Sequence, residues 1–197
     1  MPSAAEKLMS LDEFLAWERG QPDRHEFDGF TIVAMTGASL PHVVITMNIA
    51  FALRQALRGT GRRPFANDAK VLAGNAVRYP DISVTCRPYY DSDDIVPDPI
   101  FIIEVVSPTT ERTDRGRKKF DYFAIPSLCQ YAIVEQDERR IDLYPRAEPD
   151  WTNQVVTDAS VLSLSSIGVD LPLDVIYEDT ELDAIRRPMG GGPAPAA

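Results

Sequence analysis

Glu104 stands inside the apolar run "PIFIIEVV", between Ile103 and Val105. Taking an ionised carboxylate out of water costs several kcal/mol unless a cation or hydrogen-bond donors compensate. A second acid, Asp81, follows Pro80 in "YPDISVTC", 23 residues earlier in the chain. Proline is tolerated at the head of a strand, because that position need not donate to the ladder. Alternation then puts Asp81, Ser83 and Thr85 on one face, with Ile82, Val84 and Cys86 on the other. If the two strands are neighbours, their carboxylates converge. Such a pair repels itself unless a proton or a metal sits between the groups. Mg²⁺ (or Mn²⁺) suits it: two carboxylates, several retained waters and a phosphate oxygen complete an octahedron. Two other readings stand beside this one. Glu104 can be buried in an ion pair with a helix Arg or Lys. The acids can also work as a metal-free general acid and base.

The elements that must position these residues are legible from periodicity. Ser10 and Glu13 form a capping box ahead of a short amphipathic helix with Leu11, Phe14 and Leu15. "HEFDGFTIVAM" reads as two strands about a turn at Asp28–Gly29. A strong helix is predicted from Leu40 to about Leu57, with Ser39 as N-cap and Pro41 in its first turn. His42, Ile45, Ile49 and Leu53 share one face of it. Three strands follow, at 64–72, 79–86 and 99–106; the last is apolar enough for the sheet centre. A second helix, from about Thr113 to Phe123, should turn Phe120 and Phe123 inward and end before Pro126. "QYAIVEQ" and "RIDLYPR" make a hairpin, and short strands near Val155 and over Leu171–Ile176 are peripheral. Helix, three strands, helix, strand is an α/β sandwich with a mixed sheet.

Composition sets the outer bounds. With 197 residues, 44% hydrophobic and 25% charged, the chain has material for one domain and one core. No apolar run approaches the roughly 18 residues of a membrane span, and the start resembles no secretory signal. A cytoplasmic location is the default expectation. Cys86 and Cys129 have no metal-like spacing and read as small apolar fillers. Neither His25 nor His42 sits in a triad context, which argues against a serine or cysteine nucleophile. The net charge of −10 disfavours nonspecific coating of DNA. Basic residues are nevertheless clustered, at Arg54, Arg58, Arg62, Arg63 and Lys70 and again at Arg112, Arg115, Arg117, Lys118 and Lys119. These are solvated faces or the walls of a local basic cleft.

These pieces together carry a resemblance. Asp81, then Glu104 two positions before Val106, within helix–three strands–helix–strand, resembles the PD-(D/E)XK nuclease superfamily. More narrowly, "SLDEFLAWE", "HEFDGFTIVAM", "SLPHVVI", "YPDISVTC", "LPLDVIY" and the long "PIFIIEVVSPTTERTDRGRKKFDYFAIPSLCQYAIVEQD" resemble the Uma-two family of putative restriction endonucleases. The resemblance implies a restriction-endonuclease-like α/β core with an N-terminal helix and hairpin and C-terminal strands. It implies one endonuclease domain over residues 1–187; the low-complexity tail over 188–197, with "GGGPAPAA", falls outside it and is expected to be disordered. The implied activity is metal-dependent hydrolysis of phosphodiester bonds in nucleic acid, DNA above all, by in-line attack that leaves a 5′-phosphate.

Residue by residue, the resemblance makes Asp81 and Glu104 the Mg²⁺ ligands and Lys118, Glu26 and His42 catalytic. The superfamily's motif lysine falls at residue 106, where Val106 stands. Lys118, four residues after Asp114 and four before Tyr122, is expected to orient or help deprotonate the attacking water. Its bland alternative is a surface pair with Asp114. Glu26 is either a further acid at the metal or a structural carboxylate paired with an Arg. His42 is either a neutral donor or water-positioner or a hydrogen-bonded core histidine, since a helix N-terminus disfavours imidazolium. Asp68 and Lys70 alternate on the preceding strand, so either can face the site. Arg62, Arg63 and Arg115 are the expected holders of the nucleic-acid backbone. A homodimer is an open expectation, with the apolar segment near Tyr131–Val134 as a contact. The rival reading is a catalytically inactive nuclease fold that binds nucleic acid or protein, favoured by Val106 and the acidic balance.

Overall fold

In the computed structural model of the chain, residues 9–35, 37–106, 111–157 and 160–183 are described, the side chains of residues 111–115 excepted. The Ser10–Glu13 capping box opens α1 (Leu11–Glu18), which buries Phe14. Strands β1 (His25–Phe27) and β2 (Ile32–Ala34) turn through Gly29, whose φ of 89° suits glycine. Ser39 caps α2 (Leu40–Ala56), with Pro41 in its first turn. Then come β3 (Arg63–Ala66), β4 (Val71–Ala73), β5 (Ala76–Arg78), β6 (Ile82–Thr85) and β7 (Pro99–Val106). Helix α3 (Glu111–Phe123) leads to the hairpin of β8 (Gln130–Glu135) and β9 (Arg140–Ala147). Beyond it lie β10 (Asp150–Trp151), β11 (Gln154–Thr157), β12 (Val161–Leu164), β13 (Val169–Pro172) and α4 (Leu173–Ile176).

The main sheet has the order β10-β9-β8-β7-β6-β3, with β11 also paired to β9. Strands β7 and β8 are parallel and joined through α3, since a parallel pair needs a crossover; their outer neighbours pair antiparallel. A smaller antiparallel sheet, β2-β1-β5-β4, carries the N-terminal hairpin. On one face of the main sheet α2 packs Ile45, Ile49 and Leu53 against Ile82, Val84, Phe101, Ile103 and Val105. On the other, Ile102, Tyr131 and Ile133 meet Tyr122, Ile125 and Leu128. Strand β7 is thus covered on both sides, which is why its sequence is nearly continuous apolar.

Several expectations need correction. The predicted strand over 64–72 is two strands in two sheets. Asn67 and Asp68 break it at φ 49° and 45°, a region these side chains enter more readily than most. The last four residues of Leu171–Ile176 are the helical turn α4 rather than strand. Phe120 is 69% exposed, while Tyr122 takes the inward place and Phe123 stacks on Trp151 at 4.2 Å. Cys86 and Cys129 are exposed, so neither fills the core. Tyr131–Val134 is central strand, buried between β7 and β9, and offers no surface to a second copy. The expected tail over 188–197 lies outside the described residues. Among those described, no helix is long and apolar enough to cross a membrane.

Candidate active site

Ile82 pairs with Ile103 across β6 and β7, and in antiparallel register Asp81 and Glu104 come next, opposite one another. The two acids therefore share a sheet face, as alternation requires. Asp81 Oδ2 accepts a hydrogen bond from the Val105 N–H at 2.7 Å, and Oδ1 lies 2.8 Å from His42 Nε2. His42 reaches it from the first turn of α2, docked by Ile45, Ile49 and Leu53 below it. The hydrogen bond to Asp81 raises the imidazole's pKa, and burial opposes it without reversing the direction. The helix-terminus expectation of a neutral His42 is thus outweighed by a carboxylate at contact distance.

Glu104 is 7% exposed. Its Oε1 accepts from the Tyr122 hydroxyl at 2.6 Å and lies 3.8 Å from Lys118 Nζ. Burial pushes its carboxyl up to about 7; Lys118 opposes the rise, while the charges of Asp81 and Glu26 add to it. Lys118 Nζ is closer to Glu26 Oε1, at 2.9 Å. Burial alone would lower the ammonium's pKa, but Glu104 and Glu26 outweigh it and hold the group firmly cationic.

Glu26 is fully engaged. Its Oε1 also accepts from the Tyr79 N–H at 3.3 Å, and its Oε2 from Arg78 Nη1 at 3.1 Å. Arg78, buried on β5, turns its Nε and Nη2 to Asp121 Oδ2 at 3.0 and 2.6 Å. Helix α3 thus delivers Lys118, Asp121 and Tyr122 to one network, the i, i+3, i+4 spacing of a single face. Sequence reasoning missed Arg78 and Asp121. The signal was available: an arginine in the otherwise apolar "AVR" strand is the same anomaly as Glu104 in β7.

Other expected site residues lie elsewhere. Arg63 pairs with Thr85, four residues along β6 from Asp81, or about 13 Å at ~3.3 Å per residue. Its guanidinium is used locally, on the Gly61 and Arg87 carbonyls. Arg62 precedes it at the same distant end of β3, so neither arginine joins the acids. The Arg115 side chain lies outside the described residues. Lys70 is buried in a separate cluster, 2.8 Å from Glu18 and 2.7 Å from Asp94. Among the described residues no three His, Cys, Asp or Glu side chains converge as a metal cage. Both Glu26 oxygens are engaged, by Lys118, Arg78 and the Tyr79 N–H, which includes the expected pairing with an arginine.

This mixed α/β fold has a solved counterpart. A "putative nuclease belonging to DUF820" from Anabaena variabilis ATCC 29413 superposes with a TM-score of 0.70 at 19% identity, covering 85% of this chain and 97% of its own. The fold is accordingly nuclease-like. A model of the Uma2 family, described as "Putative restriction endonuclease", matches residues 11–175. Two proteins of Synechocystis sp. (strain ATCC 27184 / PCC 6803 / Kazusa) are similar along most of their length. Uncharacterized protein slr1290 is 36% identical over 180 residues, 89% of this chain and 95% of that protein. Uncharacterized protein sll1609 is 26% identical over 151 residues, 74% and 85% respectively. The chain belongs to the Uma2 family.

Proposed function

We propose that the protein is a divalent-metal-dependent nuclease that hydrolyses phosphodiester bonds, with DNA as substrate. The observation that carries this reading is the cross-strand placement of Asp81 and Glu104 beneath one helix lysine. The acids fit a metal ion. Glu104's carboxyl is pushed up to about 7 chiefly by burial, with Lys118 opposing and Asp81 and Glu26 adding, so a bound cation would help to hold it ionised. Two carboxylates without a third suit Mg²⁺, which keeps several waters. Each Asp81 oxygen retains a lone pair after its hydrogen bond. When bound, the ion would neutralise the scissile phosphate and lower the pKa of a coordinated water.

The chain's own residues do the rest. Lys118 is held cationic, so it stabilises charge developing on the phosphoryl oxygens and does not take a proton from water. Glu26, itself fixed by Arg78, keeps that ammonium above Glu104. His42 and the Val105 N–H orient Asp81. The expected backbone contacts of Arg62 and Arg63 would fall about 13 Å along the sheet from the acids rather than beside them.

Cleavage of supercoiled plasmid in Mg²⁺ or Mn²⁺ tests the proposal. Activity that needs the ion and disappears in Asp81→Asn supports it; an equally active Asp81→Asn protein overturns it. A second reading, an inactive nuclease fold that binds nucleic acid or protein, is favoured by Val106 at the motif position and by the protein partners of both Asp81 oxygens. It predicts no cleavage and no Glu104-dependent stabilisation by Mn²⁺.

A further inference from the structure

Beside Asp81, at the β3 edge of the main sheet, lies a cavity of about 320 Å³. Its walls include Phe65, Asn67, Asp68, Tyr89, Asp93 and Asp94. We infer that this cavity receives an unpaired nucleobase of the substrate strand, next to the phosphate at Asp81 and Glu104. The inference rests on the nuclease reading above and adds to it a substrate class: single strands, or duplexes with an unpaired base at the cut.

Position is the first argument. Ala66 pairs with Ile82, so Asn67 comes next to Asp81, and the Asn67 N–H donates to the Asp81 carbonyl at 3.0 Å. The cavity wall and the catalytic acid are thus neighbours across one strand spacing, about 5 Å. Chemistry is the second. Phe65 and Tyr89 meet edge to face, with centroids 5.2 Å apart and planes at 81°, and Tyr89 is 48% exposed. Aromatic rings at a cavity wall offer the surface on which a base stacks.

The polar groups narrow the occupant. Asp94 is engaged by Lys70 at 2.7 Å, and Asp93 accepts from the Tyr90 N–H at 2.8 Å. The side chains of Asn67 and Asp68 have no hydrogen-bond partner among the described residues. They are free to accept from N–H groups. Asp68 and Asp93 repel a phosphate, and among the described residues no acid triple converges on a metal. A flat, uncharged group with amino donors on its edge remains, which describes adenine, cytosine or guanine. Inside a paired, stacked duplex a base can neither enter a cavity nor offer its faces to an aromatic wall, so the base must be extrahelical or single-stranded.

The test uses the full chain and two fluorescent probes: 2-aminopurine riboside, and a short single strand carrying one 2-aminopurine, with Ca²⁺ replacing Mg²⁺. Saturable quenching of both is expected, with riboside binding about 5- to 150-fold weaker in Tyr89→Ala, the span of one aromatic stack. Asn67→Gly should weaken it as well and leaves the fold intact, because the position is exposed and glycine accepts its φ of 49°. Plasmid cleavage without quenching of either probe overturns the base site while sparing the nuclease. Quenching that survives Tyr89→Ala undiminished also overturns it. Tyr89-dependent quenching of the riboside without cleavage of any nucleic acid upholds the base site and sinks the nuclease reading.

Discussion

Replacing Glu104 with glutamine keeps the side chain's shape and its bond from Tyr122 while removing one buried charge. Burial and the neighbouring acids place the folded-state carboxyl at about 7, against an ordinary value of 4.5. A carboxyl raised on folding favours the folded chain only while it is protonated. That contribution is complete below 4.5 and gone above about 7. The interval corresponds to at most about 3 kcal/mol, at about 1.4 kcal/mol per pH unit. Between about pH 5 and about pH 8, the metal-free wild type should therefore lose roughly 2–3 kcal/mol relative to Glu104→Gln. Lys118 is charged in both folded and unfolded chains over that range, so its partnership with Glu26 cancels from the pH dependence. Urea unfolding of both proteins in a chelator, at the two pH values, reads the effect directly. Melting temperatures should diverge by about 2–4 °C per kcal/mol for a chain of this size. A difference between the proteins that is the same at both pH values refutes the reasoning, because Glu104 would then titrate as an ordinary surface acid.

Added Mn²⁺ should stabilise the wild type by about 2.7 kcal/mol at pH 8, at a hundredfold excess over Kd, and by less at pH 6; a thermal shift that persists in Glu104→Gln counts against the site. Lys118→Met should lower kcat for plasmid cleavage by about 10²–10³-fold, the scale of one lost transition-state donor, with a smaller change in KM. Arg78→Met leaves buried Glu26 and half-buried Asp121 without their shared cation and should cost roughly 3–5 kcal/mol in urea unfolding. A cost below about 1 kcal/mol would mean that this ion pair is solvated like a surface one.

Much of this architecture was legible because its signals are local. The caps at Ser10 and Ser39, the apolar run of β7 and the 3.6-residue pattern of α2 each reported an element directly. Asp81 and Glu104 were found as anomalies, one after a proline and one inside a hydrophobic strand, and the register then brought them together. What stayed hidden was long-range. Nothing in "PFANDAKVL" says that its halves join different sheets, since that depends on two residues adopting positive φ. The basic stretches were judged by charge alone, and charge does not tell which end of β6 an arginine occupies. Glu26 carried two readings because its partners come from β5 and α3, which no local pattern connects. Phe120 was misplaced for a related reason: the inward face of α3 is chosen by the Tyr122–Glu104 hydrogen bond as well as by hydrophobicity.

The ammonium above Glu104 is steered from outside its own layer. Lys118 belongs to the helix that crosses between the central strands, whereas Glu26 and Arg78, which aim it, belong to the small N-terminal sheet. That sheet is therefore the site's alignment jig as well as a cover. Loosening its hold, even with every central strand intact, would leave both acids in place and let the lysine swing off target.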